Sequence, residues 1–183
     1  MRDPAPFEDF LADYQDMVHA TAFRLLGHPA EAEDIAQEVF LRAWSHWHEL
    51  AGSPTAGGWL KTVTRNLCLN HLERYRSRWK FFGDLKPADA DDDDPGLEAT
   101  FGVESTVDAD LLARDQRQVL EESLLRLPTD QRVALVLYHF EDLDYAEIAQ
   151  RLGIGLGKVK TDIHRARLAL QKRLQPQREH LGI

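Results

Sequence analysis

Residues 144–174 read DYAEIAQRLGIGLGKVKTDIHRARLALQKRL. Asp144, with Glu147 three positions later, has the form of a capping box, which satisfies the first free N–H groups of a helix. Ile148, Ala149 and Leu152 give that helix an inner face. Gly153-Ile154-Gly155 then supplies a sharp turn. Beyond it Val159, Ile163, Ala166 and Leu170 repeat at helical spacing, one stripe of a 3.6-residue period.

Placing that stripe inward leaves Thr161, His164 and Arg165 on the opposite side, flanked by Lys158 and Lys160. Between Arg151 and Arg173 there are seven Lys/Arg and one acid, Asp162. A short helix, a glycine turn and a longer basic helix make a helix-turn-helix, whose second helix lies in the DNA major groove. A helical hairpin with a solvated basic face shares the pattern, so the rest of the chain must separate the two.

Upstream, Leu111–Leu127 reads as a helix and Pro128 breaks it. Thr129 or Asp130 is placed to cap the next helix, which carries Val133, Leu135, Val136, Leu137, Tyr138 and Phe140. Downstream, QPQREHLGI reads as a tail. Residues 83–110, GDLKPADADDDDPGLEATFGVESTVDAD, have no periodicity, and the Asp91–Asp94 run cannot bury enough apolar surface to order itself. The expected architecture is all-α: two small helical domains, residues 1–80 and 114–183, joined by a flexible acidic linker over 81–113, with the helix-turn-helix in the second.

The first half reads as three helices. Phe7, Phe10, Leu11, Tyr14, Met17, Val18 and Leu25 share one face, and Gly27 is a stop. In AEAEDIAQEVFLRAWSHW the stripe Ile35, Ala36, Val39, Phe40, Ala43, Trp47 leaves Asp34, Gln37, Glu38 and Arg42 together on another face. Five acids and one base between Glu31 and Glu49 suit a basic partner, although most such faces are simply solvated. LAGSPTAGG over 50–58 is turn chemistry. The third helix sets Trp59, Leu60, Val63, Leu67 and Leu72 inward and Lys61, Thr64, Arg65, Asn66, Asn70, Arg74, Arg76 and Arg78 outward. Basic residues interleaved with Asn, Tyr and Trp can hold phosphates and stack on bases.

The net charge of −9 argues against a DNA-binding protein only until it is located. Residues 1–79 carry 8 Lys/Arg and 11 Asp/Glu, residues 80–113 carry 2 and 10, and residues 114–183 carry 12 and 10. Most of the acidity therefore sits in the linker, and local patches decide what the chain can bind. No apolar run reaches membrane-span length, and the N-terminus lacks a secretory pattern. The single cysteine, Cys68, excludes an internal disulfide and a cysteine-built metal site; the chain reads as cytoplasmic.

Catalytic chemistry finds no support. His46 and His48 are two positions apart, hence on different sides of a helix and poorly placed for one metal. There is no phosphate-cradling glycine loop, nucleophile elbow or paired carboxylates. Cys68, between Leu67 and Leu69, reads as a small buried residue. We expect no catalytic residue, metal, cofactor or small-molecule substrate.

With both halves in view the chain resembles the extracytoplasmic-function (ECF) sigma factors of bacterial RNA polymerase. DIAQEVFLRAW (34–44) and GWLKTVTRN (58–66) resemble sigma region 2; LRLPTDQRVALVL (125–137) and DYAEIAQRLGIGLGKVKTDIHRAR (144–167) resemble region 4. The linker stands where larger sigma factors have region 3. The resemblance implies that Asp34, Gln37 and Glu38, with Arg42 beside them, dock on the β′ clamp helices of the polymerase core. It implies that loop 50–58 with Lys61, Arg65, Asn66 and Asn70 opens the −10 promoter element. Lys158, Lys160, Thr161, His164 and Arg165 would read the −35 element, with the β flap as a further partner. It also implies an anti-sigma factor, which would hold the protein at the inner face of the membrane. A stand-alone operator-binding regulator is the rival reading, and the acidic face at 34–38 disfavours it.

Two positions depart from the family pattern. Lys158 replaces a small hydroxyl and Asp162 replaces a base. From the flank of the outward face, Asp162 is expected to repel phosphate or accept from a cytosine amine. Promoter sequence is therefore not transferable.

Overall fold

The computed structural model describes residues 5–80 and 109–180, with side chains over 6–74 and 117–174. Everything regular among them is helix. The chain divides into two compact units, Met1–Leu85 and Lys86–Ile183.

In the first unit α1 spans Ala5–Leu26, α2 Pro29–Ser45, α3 Trp47–Leu50 and α4 Ala56–Lys80. α1 stops at Gly27 as expected, where the glycine N–H donates to the Phe23 carbonyl at 2.8 Å. Pro29 then starts α2, its fixed φ suiting the first turn. α1, α2 and α4 pack against one another around Val18, Val39, Phe40, Ala43, Leu50, Ala56 and Leu60. Aromatic edges close one end: the Phe7 ring lies 4.8 Å from Trp44 and 5.2 Å from Trp47, and Phe10 lies 5.1 Å from Trp47. α2 ends two residues before the expected Trp47, because the chain leaves helical geometry at His46.

α4 is rotated from its expected register. Leu60 and Cys68 are fully buried as expected, but so is Thr64, and Arg65 is only 9% exposed. Trp59, Val63, Leu67 and Leu72 are half-buried at the edges of that face. Thr64 sits inside at little cost because its hydroxyl donates to the Leu60 carbonyl at 2.7 Å. α4 also comes close to α1 at its start, where a Cβ on Gly57 would lie 3.0 Å from Tyr14 Cε1.

In the second unit α5 spans Ala109–Leu125, α6 Thr129–His139, α7 Tyr145–Leu152 and α8 Leu156–His180. α5 begins inside the linker expected over 81–113; residues 81–108 of that linker lie outside the described residues, as do the side chains of Arg76 and Arg78. Gln175–His180, expected as part of a tail, continue α8. The cap of α6 is Pro128, with no side-chain hydrogen bond, not Thr129 or Asp130.

α8 packs against α5, α6 and α7, burying Leu124, Val133, Val136, Leu137, Ile148, Val159, Ile163 and Ala166. The capping box is present: Glu147 N–H donates to Asp144 Oδ1 at 2.8 Å, and Asp144 N–H to Glu147 Oε2 at 2.9 Å. Gly153 closes α7 in the left-handed region (φ 63), which a side chain would strain. Arg173 reaches back to α5, its guanidinium donating to the Ser123 and Arg126 carbonyls at 3.2 Å each. Those are carbonyls that a helix end leaves unpaired.

Candidate nucleic-acid and partner interfaces

Three polar helix faces carry the expected site residues. On α2, Asp34 and Gln37 are exposed and Glu38 and Arg42 are about half exposed. Arg42 Nε donates to Glu38 Oε1 at 2.8 Å, so these two neutralise each other in the free protein. Next to them Leu41 is 64% exposed, a large apolar side chain left in water. It belongs to the wall of an open groove of about 640 Å³ between α1 and α2. Phe7, Leu11, Phe40 and Trp44 also line that groove, and Asp16 and Glu33 contribute acid to it. The sequence reading missed it, because the groove combines residues from two helices.

On α4, Asn66 and Asn70 are exposed and Lys61 is half-buried, consistent with an outward face. Arg65 is not on that face. Its side chain is buried beside Thr64 and would have to leave the interior to meet DNA. Among the described side chains, the basic residues left on the outward face are Lys61 and Arg74.

On α8, Lys160, His164 and Arg165 are exposed and Thr161 is half-buried. Val159, Ile163 and Ala166 are inside, so the helix is oriented as its stripe predicts. Asp162, expected on the flank, is instead 5% exposed. Lys158 is held in ion pairs: its Nζ donates to Asp162 Oδ2 at 2.8 Å and lies 3.5 Å from Asp130 Oδ2 on α6. A second polar contact joins α6 to α8. Arg167 Nε and Nη2 lie 3.3 and 3.2 Å from His139 Nε2, and the guanidinium sits 5.3 Å from the Tyr138 ring centre. Partial burial, then the adjacent Arg167 charge, hold the His139 pKa below its ordinary value. The neutral ring can therefore accept from arginine. Burial, and then the neighbouring Tyr138, push Tyr145 upward.

Two family models divide the chain at the same place as the fold: sigma-70 region 2 matches residues 10–78 and sigma-70 region 4 matches residues 112–170. The ECF RNA polymerase sigma factor SigW of Bacillus subtilis is 30% identical over 179 residues, 94% of this chain and 91% of that one. This chain belongs to the ECF sigma factors. The RNA polymerase sigma-H factor of Pseudomonas aeruginosa is 32% identical over 174 residues, covering 95% of this chain and 89% of that one. Among solved structures, the sigma factor RpoE of Bartonella quintana, crystallised with the anti-sigma factor NepR, aligns at 25% identity and TM-score 0.47. That alignment covers 92% of this chain and 96% of that chain.

As an ECF sigma factor the protein is a transcription initiation factor, and its helix-turn-helix is a region 4 element. Region 2 accounts for α1 to α4 and so takes in both the α2 face and the α4 face. Among the described residues no helix is long and apolar enough to cross a membrane.

Proposed function

We propose that this sigma factor joins core polymerase through the α2 face, engages the −10 element with α4, and reads the −35 element with the first turns of α8. The observation that carries the last assignment is the outward grouping of Lys160, His164 and Arg165 on the second helix of a helix-turn-helix whose turn is fixed by Gly153. Cations at that place meet phosphates and guanine edges when such a helix lies in the major groove. Asp34, Gln37 and Glu38, with Leu41 and the groove beside them, offer acid and exposed apolar surface to a basic, amphipathic partner such as the β′ clamp helices. Asn66, Asn70 and Lys61 remain the α4 residues placed for the −10 strand. The second unit also faces the β flap, and an anti-sigma factor that covers these surfaces would keep the protein inactive. The protein works in the cytoplasm, or at the inner membrane face when so held, and has no catalytic activity of its own.

The test is transcription by purified core polymerase with and without the full-length chain on a promoter library. Defined transcripts that need the chain are expected, with weak duplex binding by the chain alone at physiological salt. Tight sequence-specific binding without polymerase would instead establish a stand-alone regulator.

A further inference from the structure

The acid in the first turns of the recognition helix is inside the protein, and the first cation of that helix is bound to it. Asp162 is 5% exposed, and its carboxylate accepts from Lys158 Nζ at 2.8 Å. Asp130, from the first turn of α6, lies 3.5 Å from the same ammonium. Lys158 thus faces two carboxylates on two helices, while Lys160 and Arg165 on the same helix face water. A lysine stem is long enough to swing from such a pocket to a DNA phosphate, and Lys158 is still 44% exposed.

We propose that Asp162 is a specificity-determining residue that acts through Lys158. It holds the lysine back from the phosphates and so limits sequence-independent attraction at the −35 end. Phosphate contacts raise affinity for every sequence alike, whereas base contacts discriminate. Withholding one cation from the backbone therefore leaves a larger share of binding to Arg165 and its neighbours. A positively charged residue at position 162 would do the reverse. The inference rests on α8 being the DNA-reading helix.

The test compares holoenzymes, full-length chain plus core polymerase, on promoter and non-promoter duplexes over a salt series. The variants are wild type, Asp162→Asn, and the double variant Asp162→Asn with Lys158→Met. Each phosphate contact adds about 0.9 to the slope of log affinity against log salt. Asp162→Asn should steepen the slope by about that much, roughly a further 3.5-fold loss between 50 and 200 mM salt. It should also narrow the ratio of promoter to non-promoter binding. The double variant should return to the wild-type slope. An unchanged slope in Asp162→Asn overturns the proposal, as does a double variant shallower than wild type, since Lys158 would then already contact phosphate. If Asp162→Asn fails to fold, Asp162→Ala takes its place in the same comparison, with the same steeper slope expected and an unchanged slope overturning the proposal. Arg165→Ala in the same assay separates the two readings: if it changes nothing, α8 is not in the groove. If it removes promoter preference while the Asp162 slopes stay equal, only the tether fails.

Discussion

Two ion pairs in this sigma factor have the same spacing and the same length, yet different consequences. Glu38–Arg42 on α2 and Lys158–Asp162 on α8 are both i,i+4 pairs at 2.8 Å. The first has side chains 46% and 50% exposed; in the second the carboxylate is 8% exposed. An exposed pair is worth about 0.3–0.5 kcal/mol, so a partner can open it at little cost. A pair with one buried member resists opening, because the carboxylate would be left in an apolar surrounding without its counterion. Spacing identifies candidates for pairing, and burial decides whether a pair is a latch or a surface ready to be exchanged.

The sharpest way to break this comparison is Lys158→Met. It leaves Asp162 buried without its nearest cation and should cost about 2 kcal/mol, less than the roughly 3–5 of a fully buried pair because the ammonium is 44% exposed. Adding Asp162→Asn should restore most of that. Urea unfolding of the two variants gives the numbers, and equal stability of both would dissolve the distinction between the pairs.

Arg165→Ala tests the exposed side of the same helix. Helicity and unfolding midpoint should not move, while discrimination at one −35 position should fall by about 1–3 kcal/mol. Transcription across a library of −35 variants reads this. A uniform fall over the library would move Arg165 to the phosphates.

On α2, Arg42→Ala should change stability by no more than about 0.5 kcal/mol. Glu38→Lys should fold equally well and bind core polymerase more weakly, seen by comigration on a sizing column. Unfolding of either variant would make this face structural.

The smallest effect concerns the His139–Arg167 contact between α6 and α8. His139 has a depressed pKa in the folded protein, so the unfolded chain binds its proton more readily. Its contribution to stability is complete above the ordinary value of 6.5 and is lost as pH falls from there toward the lower folded value. His139→Gln should flatten the pH dependence of unfolding in that window. An unaltered pH profile would show that Arg167 does not depend on the neutral ring.

The three long helices of the first unit, the four of the second, the capping box, the turn at Gly153 and the inward stripe of α8 were all legible in the sequence, because each rests on local spacing; the four-residue α3, Trp47–Leu50, was not. The α4 face was not. Thr64 and Arg65 read as polar and therefore outward, yet a hydroxyl that donates to its own helix can be buried, and only α1 and α2 determine which side is covered. Lys158 and Asp162 were legible as i,i+4 partners, but Asp130 joins them from 28 positions upstream of Lys158. The α1–α2 groove and its exposed Leu41 likewise belong to two helices at once.

Arg173 bears on the order in which the protein is made. Its guanidinium completes the end of α5 through carbonyls of residues 47 and 50 positions earlier. Domains generally fold as units during synthesis, the N-terminal one first. The region 2 helices end at Lys80 and can assemble while the rest is still being translated. The region 4 unit is completed only when Arg173 has emerged, about half the chain's length after Lys80. The growing chain therefore presents its polymerase-docking half well before its DNA-reading half is finished.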